Sequence, residues 1–497
     1  MSKAQKNRAS KQKYISPAQL SLVGFETPFA RSLKKDNRWV ILANQIPWDD
    51  LTSVYQSQLH NSSTGASGIN PRVALGALII KHMCNLSDRE TVQQIQENMY
   101  MQYFIGYSSY CDEEPFDPSL FVDIRKRLGI EQVNKINEQI LGLSNKDEKT
   151  DHCNDTDAKD EGSVTGESDK KGSLLMDATA CPQDIAYPTD LNLLNDAREK
   201  SEELIDLLYD IGIHLKKPRT YRQVARKFYL QTAQKKTKTN KELRKAIKKQ
   251  LGFLGRNLSH IEKLLDSYSF IPLEVSQYKY LLVIQTLYDQ QMTMFIKNIH
   301  SIDHRIVSIH QPHVRPIVRG KTNAKVEFGA KIHIALLDGF AFLDKLSWDA
   351  YNEGGCLQTS VLNYKARFGF YPEEVLADKI YCNRENRQWL KERGIKLKAK
   401  PLGRPKAVEP NHVSPGERNP VEAKFGQAKT AYGMNRIKAR LQDTSESWIA
   451  TIILVLNLVK LAGAVPYAIL KIILAFSAQL HETWYGANEK NYKIMVI

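Results

Sequence analysis

Residues 326–349 read VEFGAKIHIALLDGFAFLDKLSWD, and this stretch decides the class of fold. Two apolar, strand-like runs flank the dipeptide Asp338-Gly339, which is typical of a tight β-hairpin turn. Further strand-like runs lie at residues 173–177, 305–310 and 373–381, and helical patterns lie at 356–369 and 384–394. Strands that alternate with helices predict an α/β domain, which we assign to residues 173–445.

An acidic segment precedes this domain. Residues 146–171 hold nine acidic residues and five lysines, a net charge of 5 − 9 = −4, and few apolar side chains. Such a composition cannot bury enough apolar surface to fold, so we predict a flexible linker at residues 145–172. Residues 1–15 are predicted to be a disordered basic tail, and residues 16–144 a helical N-terminal domain that binds DNA.

Helix-capping signals support the helical prediction for residues 71–130. Ser87 and Glu90 have the spacing of a capping box. Asp117 is the expected N-cap of a later helix, with Pro118 in its first position and Gly129 at its end. Short helices joined by tight turns are compatible with a helix-turn-helix unit and equally with a plain helical bundle, and the pattern leaves both open.

The excess of positive charge is concentrated in one segment. The 497 residues carry 70 Lys and Arg against 55 acids, a net charge of +15. Residues 216–256 alone hold fifteen Lys and Arg and one acid, a net of 15 − 1 = +14. They lie in a predicted helical insertion at about 190–265, and the charge predicts a nucleic-acid partner rather than only a solvated basic helix. The expected phosphate contacts are Arg222, Arg226, Lys235, Lys236 and Lys238.

The cysteine pattern and the hydropathy of the sequence predict the cellular compartment of the protein. The six cysteines form no CxxC pair, which favours free thiols in a reducing cytoplasm. The basic N-terminus lacks the apolar run of a secretory signal. The apolar run at 448–459 has twelve residues, short of the ~20 that span a bilayer. We therefore predict a buried helix there, within C-terminal helices (446–497) that pack on the core, and no membrane partner.

Three acidic residues are the candidates for chemistry. Asp177 follows the apolar run SLLM and Asp378 follows EEVLA, so each is predicted at the C-terminal end of a strand, where ligand groups of α/β sheets collect. Glu422 lies in RNPVEAKFGQAK (418–429), with Asn419 as the expected N-cap of a helix and Pro420 in its first position. A simple capping role for Glu422 is the alternative.

Carboxylates in this number suit hard divalent cations. Mg²⁺ is held by a few carboxylates plus water and phosphate oxygens, and a pair of such ions can promote phosphodiester cleavage. Competing acids in the same domain are Asp338, Asp344 and Asp349, while Asn352 and Glu353 are ranked as secondary. Four histidines without nearby cysteines are interpreted as DNA-facing or structural rather than zinc ligands: His300, His304, His310 and His313.

Several segments together resemble bacterial insertion-sequence transposases. They are LLMDAT (174–179), the stretch from residue 326 to 354, ADKIYCNRENR (377–387) and RNPVEAKFGQAK. The sequence is most similar to the insertion sequence 5 group of the DDE superfamily, over about residues 70–460. Arg418, Glu422 and Lys429 match the family pattern R-x₃-E-x₆-K. Related boxes often carry a Tyr three residues before the Arg, where this chain has Pro415, so no role of that Tyr is carried over.

The resemblance implies a fold and a reaction. It implies an α/β, ribonuclease H-like mixed-sheet catalytic core that holds two Mg²⁺ ions, with Mn²⁺ as a substitute, on Asp177, Asp378 and Glu422. Arg418 and Lys429 are expected to contact DNA phosphate. The separation 378 − 177 = 201 fits an insertion between the two aspartates.

The implied protein is a DNA transposase of the bacterial cytoplasm and nucleoid. It would bind the terminal inverted repeats of its element and join a 3′-OH to target DNA, as a homodimer or larger assembly. The alternatives are a nuclease that cuts without joining and a non-enzymatic DNA-binding repressor derived from a transposase.

Overall fold

The structure is a computed structural model that describes residues 16, 27–59, 68–141, 170–318, 326–399 and 415–463. The predicted N-terminal tail at 1–15, nearly all of the acidic linker and residues 464–497 lie outside these described residues. Within the described residues the fold consists of helices and one mixed sheet, so the predicted α/β class is confirmed.

The N-terminal region is helical. Its elements are α1 (Pro28–Ser32), α2 (Arg38–Gln45), α3 (Trp48–Gln56), α4 (Pro71–Met83), α5 (Asp88–Glu97), α6 (Met99–Phe104), α7 (Leu120–Arg127) and α8 (Ile130–Ile140). The predicted capping box of Ser87 and Glu90 starts α5. The predicted start of α7 is wrong by two residues, because the Asp117 carboxylate accepts from the Ser119 amide in a turn and the helix begins only at Leu120.

Six strands form one sheet. They are β1 (Ser173–Pro182), β2 (Arg315–Val318), β3 (Val326–Leu337), β4 (Phe340–Ser347), β5 (Glu374–Leu376) and β6 (Lys396–Lys398). The order is β2-β3-β1-β5-β6, and β4 also pairs with β3. β1 is antiparallel to β3 and parallel to β5, which in turn is parallel to β6. Asp338 and Gly339 form the predicted turn between β3 and β4, both with positive φ.

The strand predicted at residues 305–310 is wrong. These residues form no regular secondary structure, although Ile306, Val307 and Ile309 are buried. Ile306 and Ile309 pack into the core of the helical insertion and Val307 into the main core. Burial between two cores therefore explains the apolar pattern that had predicted a strand.

The insertion between β1 and β2 is a four-helix unit. It contains α9 (Asp190–Leu208), α10 (Arg222–Ala233), α11 (Asn240–Leu265) and α12 (Val275–Lys297). A separate apolar cluster holds α9, α11 and α12 together, with Leu204, Leu254 and Ile284 fully buried. The helical insertion thus continues beyond the expected residue 265 through α12.

The two faces of the sheet pack into different cores. Leu174 and Met176 of β1 join a cluster with α13 (Leu357–Phe368) and α14 (Arg384–Glu392). The alternate residues Leu175 and Cys181 lie against a larger cluster on the opposite face. That cluster also contains the N-terminal helices, α15 (Pro415–Ala431) and α16 (Gln442–Gly463). The N-terminal helices therefore share a core with the sheet.

The C-terminal helix α16 is long and apolar enough to cross a membrane by length and composition. However, 67% of its apolar window is buried inside the protein, and residues such as Ile452 and Leu458 are fully enclosed. This burial agrees with the predicted core helix.

The predicted start of α15 at Asn419 is wrong. The helix begins at Pro415 and contains Pro420 in its interior. Pro420 is the sixth residue of the helix, so its ring leaves the Gly416 carbonyl, four residues earlier, without an intrahelical bond. Glu422 therefore lies beyond the first turn, where a capping-box role does not apply.

Candidate active site

Asp177 lies in the middle of β1 and not at its end. The strand continues for five residues beyond it, to Pro182, and Asp177 pairs with Ile334 of β3. The predicted strand-end position is therefore wrong for this residue. The apolar run that suggested an end at Asp177 is followed by Ala178, Thr179 and Ala180. These three residues have small, buried side chains and continue the strand.

Asp378 follows the last residue of β5 by two positions, as predicted for a strand-end acid. β1 and β5 are parallel, and Leu175 pairs with Leu376, an offset of 376 − 175 = 201. The separation of the two aspartates is also 378 − 177 = 201. Asp177 and Asp378 therefore each follow the last paired residues of β1 and β5 by two positions, and the two strands lie about 4.8 Å apart where they pair.

Both carboxylates have the same local setting. Each is half-buried and accepts a hydrogen bond from the backbone amide of the next residue, at 2.8 Å from Ala178 and 2.7 Å from Lys379. Because side chains alternate along a strand, Asp177 faces the same side of the sheet as Leu175.

α15 packs against this same face. Val421, Phe425 and Ala428 form its buried stripe in the cluster that also contains Cys181 and Ile334. Glu422 follows Val421 and is exposed, and the structure gives it no hydrogen bond or ion pair within the described part of the chain. Two turns further along the helix on the same side is Lys429, which is half-buried. Arg418 lies on α15, but its side chain is outside the described residues.

A short, rigid segment supports Asp378. The 3₁₀ turn Lys379–Tyr381 follows it, and Asn386 of α14 is only 2% exposed. The Asn386 amide nitrogen donates to the carbonyls of Tyr381 (3.0 Å) and Gly354 (2.7 Å). It therefore ties the Asp378 turn to the loop before α13. The sequence analysis missed this role, since Asn386 stands in the matched segment 377–387 without any charge or spacing to distinguish it.

The pKa of Tyr381 is affected by burial and by nearby negative charges. Its side chain is fully buried, and its hydroxyl has no hydrogen-bond partner within the described residues. Burial raises the pKa of the Tyr381 phenol far above its usual value, and the negative charges of Glu353 and Asp177 raise it further. The phenol thus stays protonated beside the acidic groups.

The competing acids have structural partners. Asp344 is buried and pairs with Arg367 at 3.0 Å. Glu353, ranked as secondary, pairs with Lys331 at 2.9 Å on the opposite face of the sheet from Asp177. Asp349 is exposed and lies 3.6 Å from Arg315. Asp338 lies in the turn between β3 and β4.

The predicted DNA-contacting residues of the insertion differ in their surroundings. Arg222 is held by both oxygens of the Asp206 carboxylate, at 3.0 and 2.9 Å. Lys235 pairs with Glu242 at 2.5 Å, next to the capping box of α11. Arg226, Lys236 and Lys238 are exposed. Arg226, Lys236 and Lys238 can therefore bind a phosphate without breaking an ion pair.

Three of the four histidines make defined side-chain contacts, including His304, whose Nδ1 lies 3.5 Å from the Asp349 carboxylate. The His310 ring nitrogen lies 2.9 Å from the Tyr280 hydroxyl. His313 packs edge-on against Trp348 with ring centroids 4.4 Å apart, and burial lowers its pKa to about 4. His300 and His304 are exposed. These positions are spread over the insertion and the segment before β2.

Two parts of the chain match family models of transposase domains. Residues 375–459 match the family model "Transposase DDE domain", and residues 28–127 match "Transposase domain (DUF772)". The chain is 30% identical over 154 residues to "Uncharacterized protein ORF8 in nfe locus" of Rhizobium meliloti. That alignment covers 31% of this chain and 66% of the relative. No solved structure matches the chain. The family matches support an insertion-sequence DDE transposase.

Proposed function

We propose that the chain is a transposase of the insertion sequence 5 group, which binds the terminal inverted repeats of its element and cuts and joins DNA. The observation that supports the proposal is the parallel pairing of β1 with β5, whose last pair lies two residues before Asp177 and Asp378, together with the packing of α15, which carries Glu422, on one face of this sheet. The family match over residues 375–459 includes Asp378 and Glu422.

A ribonuclease H-like core is part of the proposal. Its support is the sheet, in which three antiparallel strands (β4, β3 and β1) continue into two parallel ones (β5 and β6). The helical insertion leaves this sheet intact because it enters after β1 and returns before β2.

The donor chemistry suits magnesium. Asp177, Asp378 and Glu422 offer only carboxylate oxygens, the ligands that Mg²⁺ prefers. Within the described residues no group of three or more His, Cys, Asp or Glu side chains is clustered tightly enough for a metal. We therefore assign the neighbouring aspartates as the core of the site and Glu422 as the ligand that α15 brings in. Two bound Mg²⁺ or Mn²⁺ ions would activate the attacking oxygen and stabilise the leaving oxygen.

The remaining residues have roles in binding and placement. Arg226, Lys236 and Lys238 would contact DNA phosphates from the insertion, with Arg222 and Lys235 beside them, and Arg418 and Lys429 would do so near the cut. Asn386 would hold Asp378 in place through the two carbonyls that it binds. An assembly of two or more copies in the bacterial cytoplasm would bring two element ends together.

The test uses purified protein and DNA that carries the inverted repeats flanking the gene. The expected result is Mg²⁺-dependent nicking at the element end, followed by joining of the 3′-OH to a target plasmid. Nicking without joining would favour the nuclease alternative. Binding to the ends without nicking would favour the repressor, and the absence of binding would overturn the proposal.

A further inference from the structure

A cavity of about 320 Å³ lies where the insertion meets the sheet. Its walls come from the chain just after β1, from the first turn of α9, from residues 307–311 and from Arg440. The volume is at the small end of the range for ligand pockets, which suits a group the size of one nucleotide.

One wall presents an aromatic ring. Tyr187 is 72% exposed, and its ring is nearly perpendicular to the ring of Phe328, at a centroid distance of 5.5 Å and an angle of 88°. The exposure of Tyr187 leaves part of its ring surface available to a ligand. Planar groups such as nucleobases stack on such faces with little dependence on their sequence.

The deeper wall presents amide groups. Gln311 is 5% exposed, and its side-chain oxygen is buried without a hydrogen-bond partner among the described residues. A buried polar atom without a partner costs free energy, and a ligand with an N–H group would relieve that cost. Asn192 accepts from the Tyr229 hydroxyl at 3.2 Å through its oxygen, which leaves its NH₂ group as a donor for a ligand.

The lining of the cavity contains both acidic and basic side chains. Asp184 pairs with Arg436 at 2.9 Å. Partial burial raises the pKa of the Asp196 carboxyl. Arg440 is exposed at the rim, where a guanidinium can bind a phosphate.

The cavity opens beside the two chain segments that carry the candidate acids. Gln183, just after β1, forms a parallel bridge with Ile437, six residues beyond the end of α15. Asp184 at the cavity is seven residues from Asp177, which along a strand is at most about 23 Å. At 3.4 Å per nucleotide in duplex DNA, this is roughly seven nucleotides from the candidate metal site.

We propose that this cavity binds a single unpaired nucleobase of the DNA substrate. The base would stack on Tyr187 and form hydrogen bonds with Gln311 and Asn192, while Arg440 binds the adjoining phosphate. Stacking together with hydrogen bonds to the exposed base edge is the way in which proteins hold nucleotides outside a duplex. The inference rests on the proposed function, because it requires that the protein binds DNA.

The experiment compares three short duplexes of one sequence. The first is fully paired, the second carries one unpaired adenine and the third carries an unpaired abasic site at the same position. We expect wild-type protein to bind the adenine duplex about tenfold more tightly than the abasic one, since base stacking on an aromatic ring contributes that order of affinity. Tyr187→Ala should remove this preference and leave binding to the paired duplex unchanged, and Tyr187→Phe should keep it.

Tyr278→Ala is the matched control, because Tyr278 is also exposed (38%) but lies on α12, outside the cavity. A thermal melt of each variant verifies folding. Equal binding of the adenine and abasic duplexes by wild-type protein would overturn the cavity assignment while leaving DNA binding intact. An equal loss by Tyr187→Ala on all three duplexes would overturn it too. Failure of wild-type protein to bind any duplex would overturn the proposed function as well.

Discussion

Asp177 within β1 and Asp378 just beyond β5 are equally far along the chain from the last pair of residues that joins these two parallel strands. Leu175 and Leu376 are the last described pair between β1 and β5, and the two aspartates follow these partners by the same two residues. β1 runs on while β5 stops, so the carboxylates lie where the pairing of these strands ends. Two half-buried acids at such an edge repel each other, and a bound cation would offset that repulsion.

This relationship predicts that the two aspartates act together. Asp177→Asn and Asp378→Asn should each lower Mg²⁺-dependent nicking by more than about 100-fold, since even groups that only support metal ligands contribute 10–100-fold. Binding of end DNA in a gel-shift should persist. Asp338→Asn is the control, because Asn also tolerates the positive φ of that turn. Wild-type nicking by either variant would exclude that aspartate from the site.

Glu422 provides a second test. Glu422→Gln keeps the size of the side chain and removes its charge, and the residue is exposed and beyond the first turn of α15. We expect nicking to be lost, the melting temperature to change by no more than a few degrees and DNA binding to remain. Glu262→Gln, on the exposed surface of α11, is the control. A variant with unchanged nicking would show that Glu422 is an ordinary surface residue.

The basic segment makes a prediction about salt dependence. Lys236 and Lys238 are exposed, and neutralising both to Gln should flatten the slope of log K against log[salt] by about two units, since each lost phosphate contact contributes about 0.9. Lys279→Gln with Lys297→Gln on α12 is the matched pair. The same change of slope in both pairs would indicate a general effect of charge and not specific contacts by this segment.

A buried charge network predicts a large loss of stability. Lys81 and Arg125 have side chains only 1% and 5% exposed, and both bind the Asp88 carboxylate at 2.9 Å. Asp88→Asn leaves two buried cations without a counter-charge, which should cost about 3 kcal/mol and lower the melting temperature by about 4 °C. Asp50→Asn, exposed in the first turn of α3, should have little effect. Equal melts would show that the network contributes no net stability.

Stability should also depend on pH through His333. Burial lowers the pKa of this imidazole to about 4 from its ordinary 6.5, and its Nδ1 lies 3.3 Å from the Ser360 hydroxyl. The unfolded chain therefore takes up the proton first as the pH falls. Stability that is complete above pH 6.5 is lost progressively down to pH 4, by up to about 3 kcal/mol.

Urea unfolding from pH 4 to 8 measures this loss. His333→Asn, which retains a group at the Nδ1 position, should flatten the dependence, whereas His300→Asn on an exposed loop should not. If His333→Asn unfolds with the pH dependence of wild-type protein, the proton is taken up elsewhere.

Local sequence patterns predicted the elements whose causes are local. The Asp338-Gly339 turn, the capping box of Ser87 and Glu90 and the buried apolar helix near 448–459 all follow from residues that contact one another within a turn or two. The predicted strand at 305–310 was wrong for a complementary reason. Its apolar residues are buried by partners from two separate cores, which no local pattern records.

The sequence by itself determined which residue types are available: two aspartates after apolar runs, a glutamate in a basic helix and a concentrated cationic segment. Only the tertiary structure decided that Asp177 lies within its strand, that this strand pairs in parallel with β5, which ends two residues before Asp378, and that α15 packs on one face of the sheet. Contacts between residues distant in sequence determine which strands pair and which side of the sheet each helix covers. Each strand forms backbone hydrogen bonds with a neighbouring strand, and each apolar face is buried against another element.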